Sequence, residues 1–260
     1  MPTVAAIAAF LEQVAPFRLA EEWDNVGLLV GHRSQSVEKL MTCLTVTPSS
    51  AAEAVQQGAD LIVAHHPMPF TAMKQLTADT TAGRLLLDLI AAHIAVYSPH
   101  TAFDSASEGV NHRLAEGLGL RDVAALRPHA EGLGAGRWGR LAKPLPLGEL
   151  AQRLKRFLSI ERLSMVGQPE QVVRTVAVGC GAADELLAAA GASACDAMVI
   201  GEARFHTCLE AQAAGIALLL PGHFASERFA VECLAEVLDR QFPDVEVWPS
   251  QRESDPIRWE

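Results

Sequence analysis

Asp60-Leu61-Ile62-Val63-Ala64-His65-His66-Pro67 is the stretch on which the fold turns. Four apolar residues in succession suit a strand buried on both faces of a parallel sheet. The run stops at two histidines and a proline. In open α/β sheets, ligands collect beyond the carboxyl ends of the strands, so these imidazoles stand where a metal or substrate is held. A lone histidine after a strand is usually a capping or hydrogen-bonding residue. Two together, with a third related to them by a repeat, point instead to a metal centre.

On either side of this stretch the periodicity changes from strand to helix. Upstream, Leu40 to Val46 reads as a strand, and Ser49 to Gln57 as a helix ended by Gly58. Downstream, Thr81 to His93 presents Leu85, Leu86, Leu89 and Ile90 on one face, and Ile94 to Tyr97 reads as the next strand. Gly109 to Leu118 is a further helix. Thr3 is placed to cap a first helix with Val4, Ile7, Leu11 and Val14 on its apolar face. The segment Trp23-Asp24-Asn25-Val26-Gly27 before the strand Leu28–Val30 is either a polar turn or a contact to the site.

The same order recurs later. Gly58-Ala59-Asp60-Leu61-Ile62-Val63-Ala64 is echoed by Ala194-Cys195-Asp196-Ala197-Met198-Val199-Ile200, and Ile94 to His100 by Ile216 to His223 with one extra residue. His65-His66 then corresponds to Gly201-Glu202. Alternating strands and helices in both halves predict parallel βαβ units. The expected fold is α/β, with two similar domains from an internal duplication and sheets flanked by helices. The domains are expected at 1–127 and 128–260. The stretch Arg121 to Gly139 carries the least regular pattern and reads as the connection between them. Its glycines lack the strand–loop–helix setting of a phosphate loop.

Composition narrows the function. The chain has 260 residues, 50% of them hydrophobic, so core material is ample. A net charge of -10 argues against a general nucleic-acid or anionic-membrane surface. Apolar runs fall well short of the ~20 residues of a membrane span, and Met1-Pro2-Thr3 lacks a basic leader region. Cys43, Cys180, Cys195, Cys208 and Cys233 form no CxxC pair and read as reduced thiols, so the cytoplasm is the expected location.

Beyond the carboxyl ends of the strands lie His65, His66, Asp104, His223 and Glu227. In an extended segment His65 and His66 would point apart, which suits two ions better than one. His223 and Glu227, spaced i, i+4, share a face only if their helix begins near Gly222. Imidazoles with carboxylates suit zinc, iron or manganese more than calcium or magnesium. Two ions could clamp an oxyanion and activate a water. His100 is expected to support a ligand rather than act as one. Glu202 and His206 are candidates for structural support, substrate contact or proton transfer. His32, His93, His112 and His129 read as surface or structural.

The chain resembles the Nif-three-like dinuclear-metal-centre family, the GTP cyclohydrolase 1 type 2 homologues, in its short form without an inserted domain. The motifs that carry the likeness are Trp23–Leu28, Asp60–Pro67, Ser98–Asp104, Gly109–Asn111, Gly134–Gly139, Gly201-Glu202 with His206, and Gly222–Glu227. The resemblance implies two divalent metal ions per subunit held by His65, His66, Asp104, His223 and Glu227. It also implies a toroidal homohexamer. Two departures stand out. Thr45 occupies a position where the family usually has aspartate, and Phe205 precedes His206 where the family often has paired histidines. The function that follows is a metal-dependent hydrolase of a nucleotide or phosphorylated small molecule, GTP cyclohydrolase-like, with His206, Glu202 and His100 handling protons. The alternative is a non-catalytic metal-binding or metal-handling hexameric scaffold.

Overall fold

The Thr3 hydroxyl accepts a hydrogen bond from the Ala6 amide and caps the first helix, α1 (Val4–Val14). In the computed structural model, which describes residues 1–129 and 132–258, the chain continues through β1 (Gly27–Val30), β2 (Lys39–Cys43), α2 (Pro48–Gln57), β3 (Leu61–Ala64), α3 (Thr81–Ala91), β4 (Ala95–Ser98) and α4 (His100–Ser105). Next come α5 (Val110–Gly117), β5 (Leu120–Pro128), β6 (Gly134–Pro146), α6 (Leu147–Leu158), β7 (Ser164–Val166) and β8 (Val172–Gly179). The last elements are α7 (Leu187–Ala192), β9 (Ala197–Ile200), α8 (Phe205–Ala213), β10 (Ala217–Leu220), α9 (His223–Gln241) and β11 (Glu246–Pro249).

Two compact units result. The first comprises Met1–Phe103 with Ala230–Ser254, the second Asp104–Phe229 with Asp255 onward. The first holds a sheet ordered β1-β4-β3-β2-β11, the second a sheet ordered β5-β6-β8-β9-β10-β7. β2, β3 and β4 are parallel, with β1 antiparallel at the edge. β8, β9 and β10 are likewise parallel, with β7 antiparallel at the edge. The duplication therefore reaches further than the echoed strands, because α1 and β1 have counterparts in α6 and β7.

In the second unit, Val176, Val178, Val199 and Leu219 pack into one apolar cluster, and Ala177, Met198, Ile200 and Leu218 into another. Neighbouring strand residues thus point to opposite covered faces, which is why these strands are continuously apolar. In the first unit, Met41, Ile62 and Val96 pack with Ala51 and Ala54 of α2 and Leu85 and Leu89 of α3.

Three expectations need correction. The stretch 121–139 is not a connection: β5 and β6 pair antiparallel, and β6 also pairs with β8. Its residues 130 and 131 lie outside the described residues. The glycines that lowered its strand propensity are there for close approach; a Cβ on Gly139 would lie 2.8 Å from the Arg121 carbonyl. A cut at 127/128 would fall inside β5. The units divide near Asp104 instead, because Leu114, Leu118 and Leu120 pack in one cluster with Leu141 and Val176. β11, although it lies within the expected domain 128–260, runs parallel to β2 in the first sheet rather than in the second.

Candidate metal centre

In the first unit, β2, β3 and β4 are in register as parallel strands, so their carboxyl ends meet on one side of the sheet. His65 and His66 follow β3, and His100 follows β4. One ring nitrogen from each of these three residues lies within 4.8 Å of the others. His65 is buried and His66 half-buried, with ring centroids 5.2 Å apart. The expected divergence of adjacent side chains does not apply, because regular pairing of β3 ends at Ala64 and the histidines sit on a bend before Pro67.

Each histidine is anchored locally. Ser98 donates its hydroxyl hydrogen to the His65 carbonyl at 2.6 Å. Thr45 Oγ1 lies 2.7 Å from His66 Nδ1. His100 adopts a positive φ of 26°, a conformation that costs energy in a residue with a side chain, and its Nδ1 lies 2.7 Å from Asp24 Oδ1. The other oxygen of Asp24 accepts from the backbone and hydroxyl of Thr101. Burial pushes the Asp24 carboxyl up, but the His100 and Thr101 hydrogen bonds outweigh it and hold the group at about 2. Trp23-Asp24-Asn25 is therefore more than a turn. Trp23 and Phe70, 63% and 55% exposed, lie 6.0 and 5.9 Å from the His100 ring and stand beside the cluster.

In the second unit the corresponding strand ends carry acidic groups and a thiol. α9 begins at His223, which satisfies the condition for sharing a face with Glu227, and His223 Nε2 lies 3.1 Å from Glu227 Oε2. Glu202, just after β9, takes His223 Nδ1 at 2.9 Å. The hydrogen bond to Glu227 leads the causes that raise the His223 imidazole to about 9, with Glu202 adding and burial opposing. Gly181 has φ +58°, and a Cβ there would run into Glu227 Oε1, so this glycine reserves space for the carboxylate. Cys180, after β8, donates its thiol to Asp104 Oδ1 at 3.1 Å, and its amide donates to Asn111 Oδ1 at 2.8 Å. Asn111 in turn donates to the Asp104 carbonyl. Burial, then the charges of Asp104 and Glu227, push the Cys180 thiol well above its ordinary range.

Every one of these donors lies near the carboxyl end of a parallel strand or in the loop or helix that follows. Three imidazole nitrogens in one cluster, and an imidazole with carboxylates in the other, suit zinc, iron or manganese. His65, His66, His100, Asp104, His223 and Glu227 are the residues that could hold such ions. The structure brings His100 in as a potential ligand, beyond the supporting role expected of it, and sets Glu202 against His223. It does not bring His206 into this set. That residue is exposed against Phe205, in a cleft with Asp184, Arg204 and Glu210. Sequence reasoning missed the contacts of Thr45 and Cys180. Both sit at the strand end that flagged the histidines, and that position was the available signal. No helix among the described residues is long and apolar enough to cross a membrane.

The family model described as Duf34/NIF3 (NGG1p interacting factor 3) matches residues 2–256. A Streptomyces coelicolor protein named GTP cyclohydrolase 1 type 2 homolog is 35% identical over 98% of this chain and 94% of its own length. A Clostridium perfringens protein of the same name is 31% identical over 97% and 98%. The crystal structure of a Bacillus cereus protein related to NIF3 superposes with a TM-score of 0.92 at 24% identity, covering 100% of this chain and 99% of that one.

Proposed function

The chain belongs to the Duf34/NIF3 family, and from that premise we propose that it is a cytoplasmic, dinuclear metal-dependent hydrolase of a nucleotide or another phosphorylated small molecule. The observation that carries this reading is the set of three histidines, His65, His66 and His100, with a nitrogen apiece within 4.8 Å at the carboxyl end of a parallel sheet. In this proposal His65, His66, Asp104, His223 and Glu227 supply the ligands. Two carboxylates are available to bridge two ions. Divalent ions bound there would supply Lewis acidity toward an oxyanion of the substrate. Glu202, held on His223 Nδ1, leaves His223 Nε2 as the ligand atom, and Asp24, held on His100 Nδ1, orients His100 so that its Nε2 is the atom that would exchange a proton. Glu202 and His100 are also the proton-handling groups of the proposal, since His206 lies in another cleft. Trp23 and Phe70 offer exposed aromatic faces beside the cluster, a surface on which a planar base can stack. A toroidal homohexamer, from the family resemblance, is the proposed assembly.

The reaction adds water across the scissile bond of the substrate. Its test is turnover of nucleotides and phosphomonoesters by protein loaded with zinc, iron or manganese, beside His65→Ala. We expect hydrolysis by the wild type and loss of rate in the variant. If both are equally inert and metal passes from the protein to apo-acceptor proteins, the hydrolase reading falls and a metal-handling scaffold replaces it.

A further inference from the structure

We propose that Thr45 is a positioning residue for His66, and that the segment Ser250–Glu253, far away in sequence, is the brace that holds Thr45 in place. The inference rests on the reading of His66 as a metal ligand.

The relay is continuous within the first unit. Glu53 of α2 is 4% exposed. Its carboxylate accepts the Ser250 hydroxyl at 2.7 Å and the amides of Gln251 and Arg252 at 3.0 Å each, which pins the chain just after β11. Burial raises the Glu53 carboxyl, and these hydrogen bonds outweigh it and lower it. The next residue, Glu253, turns back over the loop between β2 and α2. Its Oε2 accepts the Leu44 amide at 2.8 Å and its Oε1 the Thr45 amide at 2.6 Å. Both amides are therefore fixed by one bidentate carboxylate. The Thr45 carbonyl meanwhile accepts the Ser50 hydroxyl at 3.0 Å. With its backbone held on both sides, Thr45 presents Oγ1 to His66 Nδ1 at 2.7 Å.

The tautomer gives this contact its consequence. A metal on His66 Nε2 requires the ring proton on Nδ1, and that proton needs an acceptor. Thr45 Oγ1 is that acceptor. A carboxylate there would accept the same proton with a full negative charge, whereas the Thr45 hydroxyl oxygen can accept it without adding charge. The acidic group that Thr45 lacks is present one step back, as Glu253, where it grips the backbone of the same turn.

Thr45→Val removes the acceptor and keeps the shape. Thr45→Ser keeps the acceptor. Glu253→Ala removes the brace. Zinc affinity would be measured by chelator competition, the His66 tautomer by 15N NMR of metal-free, histidine-labelled protein, and folding by thermal melting. We expect Thr45→Val to weaken zinc binding by about 10–100-fold, the range for lost partners of ligating histidines. We expect it to shift His66 away from the Nδ1–H form, with Thr45→Ser restoring both. Glu253→Ala should move both readouts in the direction of Thr45→Val. If Thr45→Val misfolds, Thr45→Ala serves in its place. Wild-type affinity together with an unchanged His66 tautomer in the valine and Glu253→Ala variants would overturn the proposal. If the wild type itself takes up no zinc, the metal reading fails, while the tautomer measurement still decides whether Thr45 sets the ring.

Discussion

β3 and β9 begin alike and end differently. Asp60, before β3, accepts the amides of Glu38 and Lys39 at 2.8 and 3.0 Å. Asp196, before β9, accepts those of Arg174 and Thr175 at 2.7 and 2.9 Å. Each aspartate follows closely on a residue of positive φ, Gly58 at 67° and Ala194 at 49°. Each strand then runs four residues fully buried. At the far end β3 gives His65-His66 and β9 gives Gly201-Glu202. The amino ends of the strands hold the duplicated fold together, and the carboxyl ends have diverged into two chemistries. A duplicated scaffold has thus produced one histidine-rich cluster and one acidic cluster.

That contrast can be broken from either end. Gly201 has no room for a side chain, because a Cβ there would lie 2.6 Å from both the Gly181 carbonyl and Ser226 Oγ. Gly201→Ala should therefore destabilise the protein by about 1–3 kcal/mol, the usual cost of overpacking, in urea unfolding. A neutral substitution would mean that the β9 end is not closed by packing. Asp60→Ala and Asp196→Ala should each cost about 1.5–3 kcal/mol, as expected for hydrogen bonds to a charged acceptor, and should cost similar amounts. A large difference between them in the same unfolding assay would show that the two amino ends are not equivalent devices.

Smaller effects sharpen the acidic side. Cys180→Ala removes the thiol donor from Asp104 and should weaken metal binding about tenfold, with Cys180→Ser close to wild type in calorimetric titration. Equal affinity in all three proteins would leave the thiol with no part in placing Asp104. The two clusters should also titrate in opposite directions in metal-free protein. His223 is raised from 6.5 to about 9, so its contribution to stability is complete below pH 6.5 and is lost as pH rises through 9. Asp24 is lowered from 3.8 to about 2, so its contribution is present above pH 3.8 and is lost as pH falls toward 2. Thermal melts of Glu202→Gln should show a weaker alkaline loss, and melts of Asp24→Asn a weaker acid loss. Unchanged profiles would remove these pairs from the account.

The parallel strands were legible because both of their faces are buried, so four apolar residues in a row announce each one. The ligand candidates were legible because polar residues so placed stand out at the ends of such runs. The β5–β6 hairpin was hidden, since Gly134, Gly136 and Gly139 serve close backbone approach and depress every strand signal. The place of β11 beside β2 depends on a pairing across some two hundred residues that no local pattern encodes. His100, Thr45 and Cys180 gain their roles from the register of neighbouring strands. Asp24 gains its role from meeting His100 and Thr101 across a long separation in sequence.

The metal account stands or falls on elemental analysis of the purified protein, wild type beside Glu227→Ala. Close to two zinc, iron or manganese ions per chain are expected in the wild type, and loss of both in Glu227→Ala. Full metal content in Glu227→Ala, or a wild type free of transition ions after reconstitution, would contradict it.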